Sequence, residues 1–185
     1  MIGLLLIGSG AREVAIARKI KESSSSTLLY CIASTTNPQI KNLSKLYFEQ
    51  SPSEVSSVLE LIKNLSIDLA IIGPENPLEA GLVDALEKIG IPCVGPKRGV
   101  AKIETSKAFA RNILDLCSPE MNPERKEFVT VDGVEDFLRH LNEEYVIKYD
   151  GLMGGKGVKI SGEHLHSIEE SLAYASSIVS GGGTF

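Results

Sequence analysis

The run Tyr145-Val-Ile-Lys-Tyr-Asp-Gly-Leu-Met-Gly-Gly-Lys-Gly-Val158 holds the residues whose types and spacing speak most directly of chemistry. An apolar strand delivers Lys148, a loop containing Gly151, Gly154, Gly155 and Gly157 follows, and that loop carries Lys156. Glycines without a Cβ let a loop close its backbone N–H groups around phosphate oxygens, and a lysine supplies a point charge. This is not a Walker A loop. Gly-Lys-Gly stands where Gly-Lys-[Ser/Thr] is required, and a second strand over 158–161 follows instead of a helix. On these residues alone, a phosphate lid and an ordinary flexible hairpin both remain open.

A second anion-binding pattern lies near the start. Gly8, Ser9, Gly10, Ala11, Arg12 and Glu13 sit between an apolar strand and a helix, where backbone N–H groups point outward and the helix dipole favours an anion. The dinucleotide fingerprint needs a third glycine where Glu13 stands, and an acid at the end of the second strand, where Ala33-Ser-Thr-Thr36 offers none. NAD is therefore disfavoured and a single phosphate fits better, with a ligand-free tight turn as the alternative. Arg12 is either a clamp on that phosphate or a solvated helix residue. Gly73-Pro-Glu75-Asn-Pro77 follows a later strand, so Glu75 reads either as an acceptor for ribose hydroxyls or as an ordinary helix N-terminal acid. Lys107, after Glu104-Thr-Ser106, reads alone as a surface lysine and together with Lys148 and Lys156 as a third phosphate contact.

The elements that must position these residues alternate regularly over the first hundred positions. Strands are expected at 2–7, 28–33, 46–49, 68–72 and 91–94, with helices at 11–22, from the Ser51-Pro-Ser-Glu54 capping pattern through Leu65, and at 78–89. This β-α-β rhythm predicts a doubly wound parallel sheet, an α/β class. A helix over 105–116 and a polar, proline-bearing connector over 118–126, the candidate hinge, come next. Beyond them a strand is expected at 127–131, a helix capped by Asp132-x-x-Glu135, the lysine–glycine hairpin, and a last helix opened by Ser167-x-x-Glu170.

With 185 residues and 43% apolar content the chain has material for one large or two small domains. A net charge of −5 without any basic block argues against a nucleic-acid partner. Cys31, Cys93 and Cys117 are scattered, with no C-x-x-C, and read as small hydrophobes in a reducing cytoplasm. His140, His164 and His166 lack metal-ligand spacing and read as structural or solvent-facing. No segment is long enough to span a membrane, and the apolar start runs straight into Gly8 without a basic region before it, so it reads as a strand.

Taken in order, Leu5-Leu-Ile-Gly-Ser-Gly-Ala-Arg-Glu13, Ile71-Ile-Gly-Pro-Glu-Asn-Pro-Leu-Glu-Ala-Gly-Leu-Val-Asp84, Val94-Gly-Pro96, Ile103-Glu-Thr-Ser-Lys-Ala-Phe109 and the lysine–glycine loop resemble the phosphoribosylamine–glycine ligases, members of the ATP-grasp superfamily. The resemblance covers essentially the whole chain. It implies a substrate-binding α/β domain over 1–103, a linker helix and hinge over 104–126, and a small α+β lid over 127–185. It also implies ATP and Mg2+ as cofactors, with the metal ligands in a main half absent from these residues. The chain is thus expected to be an N-terminal portion, inactive alone, of an enzyme that joins glycine to phosphoribosylamine. Carried over residue by residue, Gly8, Ser9, Gly10, Arg12, Glu13 and Glu75 belong to the substrate site, and Lys107, Lys148, Gly154, Gly155, Lys156 and Gly157 to the ATP site. No residue is assigned as a covalent nucleophile.

Two positions depart from the family pattern. Val14 stands where histidine is usual, and Ser34-Thr-Thr-Asn37-Pro38 replaces a Pro-Gly-Asn-x-Gly turn beside the substrate pocket. These departures keep open a related carboxylate–amine ligase with another substrate. A non-catalytic phosphate-binding module is the rival from a different class.

Overall fold

A computed structural model describes residues 1–142 and 144–185. The chain divides into two compact units, Met1–Lys102 and Ile103–Phe185.

In the first unit five strands, β1 (Ile2–Ile7), β2 (Thr27–Ala33), β3 (Leu46–Glu49), β4 (Leu69–Ile72) and β5 (Cys93–Val94), form one parallel sheet in the order β3-β2-β1-β4-β5. The α/β doubly wound expectation is met. β1 is central and buried from Gly3 onward, which its unbroken apolar run requires because helices cover both faces of a parallel sheet. Its side chains alternate between two cores. Leu5 and Ile7 join Ile32, Val58, Val83 and Leu86 on one face, and Leu4 and Leu6 join Ala17, Leu29, Cys31 and Ile40 on the other. Gly3 breaks the run for a steric reason, since a Cβ there would run into the Ser66 carbonyl.

The helices of this unit are α1 (Ala11–Glu22), α2 (Pro38–Leu43), α3 (Val55–Ile62), α4 (Glu75–Ala80) and α5 (Leu82–Lys88). The largest differences from expectation are in α3 and at 78–89. The Ser51-Pro-Ser-Glu54 pattern forms a turn, with Glu54 N–H bonded to the Ser51 carbonyl at 3.2 Å, and α3 starts only at Val55 and ends before Leu65. The helix expected at 78–89 is two helices. Gly81, at φ +88°, terminates the first in the left-handed conformation that glycine adopts without penalty. Two helices, α2 and α6 (Arg98–Thr105), were not anticipated from the sequence, and Ser106 separates α6 from α7 (Lys107–Cys117), capping α7 through its hydroxyl to Phe109 N–H at 3.0 Å.

The second unit also contains a short 3-10 turn at Pro119–Met121, α8 (Val134–His140), an antiparallel hairpin of β6 (Val146–Lys148) and β7 (Val158–Ile160), and α9 (Ile168–Ser180). Phe128, Val134, Leu138, Tyr145, Ile147, Ile168 and Ala175 make its core. The strand expected at 127–131 is not formed; only Phe128 pairs, exchanging two backbone hydrogen bonds with Phe185. Gly133, not Asp132, is the N-cap of α8, while the Ser167 cap of α9 is present. The connector read as a hinge is braced along α7. The Asn122 amide donates to the Arg111 carbonyl and to Asp115, and Arg125 pairs with Asp115 and Glu127.

Candidate functional site

In the first unit the candidate site lies where β1 and β4 end side by side. There the strand order reverses, and open α/β sheets hold ligands at such a point. The chain leaves β1 through Gly8, at φ +113°, into Gly10, the N-cap of α1. The Glu13 carboxylate is buried and turned back to accept the Gly10 N–H at 2.6 Å, the N3 half of a capping box whose other half a glycine N-cap cannot supply. Three glycines make room for it. A Cβ on Gly73 would overlap Glu13 Oε1, one on Gly10 would approach Oε2 to 2.8 Å, and one on Gly8 would lie 3.0 Å from Cδ. Glu13, grouped at the outset with the ligand-binding residues, is therefore an internal brace whose charge points into the protein. The glycines of this loop serve the carboxylate as much as any phosphate.

Arg12 faces outward with a largely exposed side chain. Its Nε lies 3.7 Å from Glu13 and its Nη2 3.7 Å from Glu75 Oε1. Glu75 does not sit in a loop. It opens α4 as the acid of a helix first turn, and it stands beside Arg12 at the sheet edge. The structure thus brings Gly8, Ser9, Gly10, Arg12 and Glu75 to one place. The first-turn N–H groups of α1, which a helix leaves without intrahelical partners, and the Arg12 guanidinium make that place suitable for an anion, and Glu75 adds a hydroxyl acceptor.

Sequence reasoning missed the turn after β2 as a working part. Asn37 caps α2, with its side-chain oxygen accepting from Gln39 N–H at 3.0 Å and Ile40 N–H at 3.4 Å, while its amide nitrogen donates to the Ser9 carbonyl at 2.8 Å. Tyr47 donates its hydroxyl proton to the Thr35 carbonyl at 2.6 Å and accepts the Asn37 N–H at 3.1 Å. The Ser9 and Thr35 hydroxyls meet at 3.1 Å. Asn-Pro before an apolar run is an N-cap signal that could have found the helix but not its bond to Ser9.

In the second unit Lys148 stands on the exposed side of β6 and Lys156 is exposed in the glycine loop, where Gly151, Gly154 and Gly155 all have positive φ. Gly157 faces Met153 and Tyr149 too closely for a Cβ, and Gly183 and Gly151 flank the Tyr149 ring in the same way. Lys107 donates its ammonium to the Gly151 carbonyl at 2.9 Å. Asp150, also missed from sequence, accepts from the Ser106 hydroxyl, Lys107 N–H and Ala108 N–H at 2.9, 2.5 and 3.1 Å. Lys107 and Lys148 line one cleft of about 990 Å³ with Ile113, Phe128, Leu138 and Val146, whereas Gly154, Gly155, Lys156 and Gly157 lie outside its lining. The lining is mostly apolar and carries both cations, Lys107 and Lys148 among them, and acids such as Glu104, Glu144 and Asp150; an apolar wall with a few charged groups can take a flat base. Among the described residues no group of three or more His, Cys, Asp or Glu side chains is placed to hold a metal ion.

Residues 2–104 match the family model described as phosphoribosylglycinamide synthetase, N domain. A phosphoribosylamine–glycine ligase of Methanosarcina barkeri is 41% identical over 179 residues, covering 97% of this chain and 41% of the relative. One from Methanocella arvoryzae is 38% identical over 178 residues, covering 95% and 40%. The chain therefore spans about two fifths of the length of the curated relatives it matches. Among solved structures, the phosphoribosylamine–glycine ligase of Thermotoga maritima superposes with a TM-score of 0.72 at 22% identity, covering 99% of this chain and 42% of that one. N5-carboxyaminoimidazole synthetase from Staphylococcus aureus, complexed with ADP, gives 0.73 at 11% identity, covering 99% and 46%. With more than half of its residues inside the family model, and the glycine loop and Arg12–Glu75 pair at the sheet's switch point, this chain belongs to the phosphoribosylglycinamide synthetase N-domain family.

Proposed function

We propose that this chain provides the substrate-binding unit and the nucleotide lid of an ATP-dependent phosphoribosylamine–glycine ligase. In that reaction a glycine carboxylate oxygen attacks the γ-phosphorus of ATP, releasing ADP and forming glycyl phosphate. The amine of phosphoribosylamine then attacks the acyl carbon, loses a proton and expels phosphate, leaving glycinamide ribonucleotide. Charge develops on phosphoryl oxygens, so cations and oriented N–H groups carry the catalysis and no covalent nucleophile is required from the protein. The observation that carries the reading is the Arg12–Glu75 pair beside the first turn of α1, an anion site and a hydroxyl acceptor on neighbouring strand ends. Lys107 and Lys148 would hold the nucleotide phosphates in their shared cleft, and Lys156 with Gly154, Gly155 and Gly157 would close over them. Mg2+ would supply further charge neutralisation from residues outside this chain. Three free cysteines, and the lack among described residues of any helix long and apolar enough to cross a membrane, suit a cytoplasmic reaction.

The test is a titration of the 185-residue chain with ribose 5-phosphate, followed by amide resonances. Shifts at Ser9, Gly10, Ala11 and Glu75 are expected, weakened about tenfold by Arg12→Ala, which removes a charge-assisted contact. Lys156→Ala should leave them unchanged. Gly10→Val is a poor probe, because its side chain would meet the Glu13 brace before any ligand. Absence of shifts at millimolar ligand would overturn the substrate assignment. A related carboxylate–amine ligase is the second reading, favoured by the Thr35 hydroxyl beside Ser9, and would show as preference for another phosphorylated sugar or carboxylate.

A further inference from the structure

We propose that Asn37 is a positioning residue for the anion-binding loop, holding the Ser9–Gly10 peptide in one orientation so that the first turn of α1 meets its ligand already formed. The proposal rests on the reading of residues 8–13 as a phosphate site. Its basis is a peptide plane held at both ends. The Ser9 carbonyl accepts from Asn37 Nδ2 at 2.8 Å, and the Gly10 N–H on the opposite side donates to Glu13 Oε2 at 2.6 Å. A trans peptide points its C=O and N–H in opposite directions, so turning this one over would break both bonds together. Glycine at position 10 would otherwise make such a flip easy, since its backbone has the widest choice of conformations.

The orientation of the Asn37 amide is itself determined. Its oxygen is engaged by Gln39 N–H and Ile40 N–H, which leaves the nitrogen, a donor only, facing Ser9. Its backbone N–H is held by Tyr47, whose hydroxyl also fixes Thr35. Burial raises the Tyr47 hydroxyl above its ordinary range, so it stays a donor at neutral pH. One side chain thereby joins the cap of α2 to the loop before α1, across the ends of β1 and β2. The Ser34–Asn37 segment, a departure in sequence, is the support of the site.

Two substitutions separate capping from positioning. Asn37→Asp and Asn37→Ser both keep an N-cap acceptor for α2, but Asp has no donor for the Ser9 carbonyl and the Ser hydroxyl, on a side chain one atom shorter, falls short of it. In the 185-residue chain both should keep the melting temperature within about 5 °C of wild type, while Gly10 amide exchange rises about fivefold and the Ser9 carbonyl resonance moves. Ribose 5-phosphate affinity should fall about fivefold in Asn37→Ser, with a larger, salt-sensitive loss in Asn37→Asp from the added charge. Unchanged Gly10 exchange and affinity in Asn37→Ser would overturn the proposal, even if Asn37→Asp binds poorly. Faster Gly10 exchange in both variants, with no ribose 5-phosphate binding to wild type, would uphold the clamp and sink the substrate reading instead.

Discussion

Glu13 illustrates how a residue's surroundings reassign its role. An acid in the first turn of a helix is ordinary, and an acid within a phosphate loop would repel the ligand unless its charge were engaged elsewhere. Here the carboxylate turns inward into a space that Gly8, Gly10 and Gly73 leave empty, and it accepts the Gly10 N–H. Cys31 lies under the same loop, buried, with its thiol 3.5 Å from the Gly8 carbonyl. Burial is the main reason its pKa is pushed from 9.0 up to about 12. In the unfolded chain the thiol ionises near its ordinary value, so its contribution to stability is intact below pH 9 and is lost as pH rises toward 12. Thiol labelling at pH 8 should therefore modify the exposed Cys117 promptly and Cys31 only at the rate of opening, and Cys31→Ala should flatten the alkaline loss of stability above pH 9. Equal labelling rates for the two thiols would refute this.

Asp150 does for an element what Glu13 does for a loop. Its carboxylate accepts two N–H groups at the start of α7 and the Ser106 hydroxyl, and the next residue's carbonyl takes the Lys107 ammonium. The linker helix and the base of the glycine loop are thus fastened together, whereas the loop tip at Gly154 and Gly155 is exposed with space around both glycines. Asp150→Ala should cost about 1–2 kcal/mol in denaturant unfolding of the second unit, the usual effect of losing a helix cap with charge assistance. Amides 107–109 should lose exchange protection in the variant. In wild type, amides 154–155 should already exchange far faster than those of Val146–Lys148, and equal protection along this stretch would remove the lid reading. The connector at 118–126 gains contacts that its composition does not announce. Polarity and proline content suggest a hinge, yet Asn122, Asp115 and Arg125 bind it to α7.

At the scale of the whole molecule the two units carry separate cores, with the apolar residues of β1 and its neighbours in one and Phe128, Leu138 and Ile147 in the other. Residues 1–102 produced alone should accordingly fold and unfold cooperatively, as seen by circular dichroism in urea, and should retain the ribose 5-phosphate shifts at Ser9 and Gly10. A fragment that stays unfolded would show that its sheet depends on residues beyond 102. By itself the sequence determined the five strands of the sheet, its parallel class and both glycine loops, because unbroken apolar runs, short connections and glycine spacing are local signals. It could not determine which polar atoms meet across the fold. The capping pattern at Ser51 looked like the one at Ser167, and only the second became a cap. Asn37 lies 28 residues from Ser9, Asp150 lies 43 from Lys107, and Arg12 meets Glu75 only because β1 and β4 are neighbours in the sheet. The tertiary structure alone decided the inward turn of Glu13, the splitting of the 78–89 helix at Gly81 and the bracing of the expected hinge. Glu13 turns inward because Gly73, at the neighbouring strand end, leaves it room, whereas Gly81 and the Asn122–Asp115 bond act over short range, through a left-handed backbone angle and a side-chain pairing that apolar periodicity does not register.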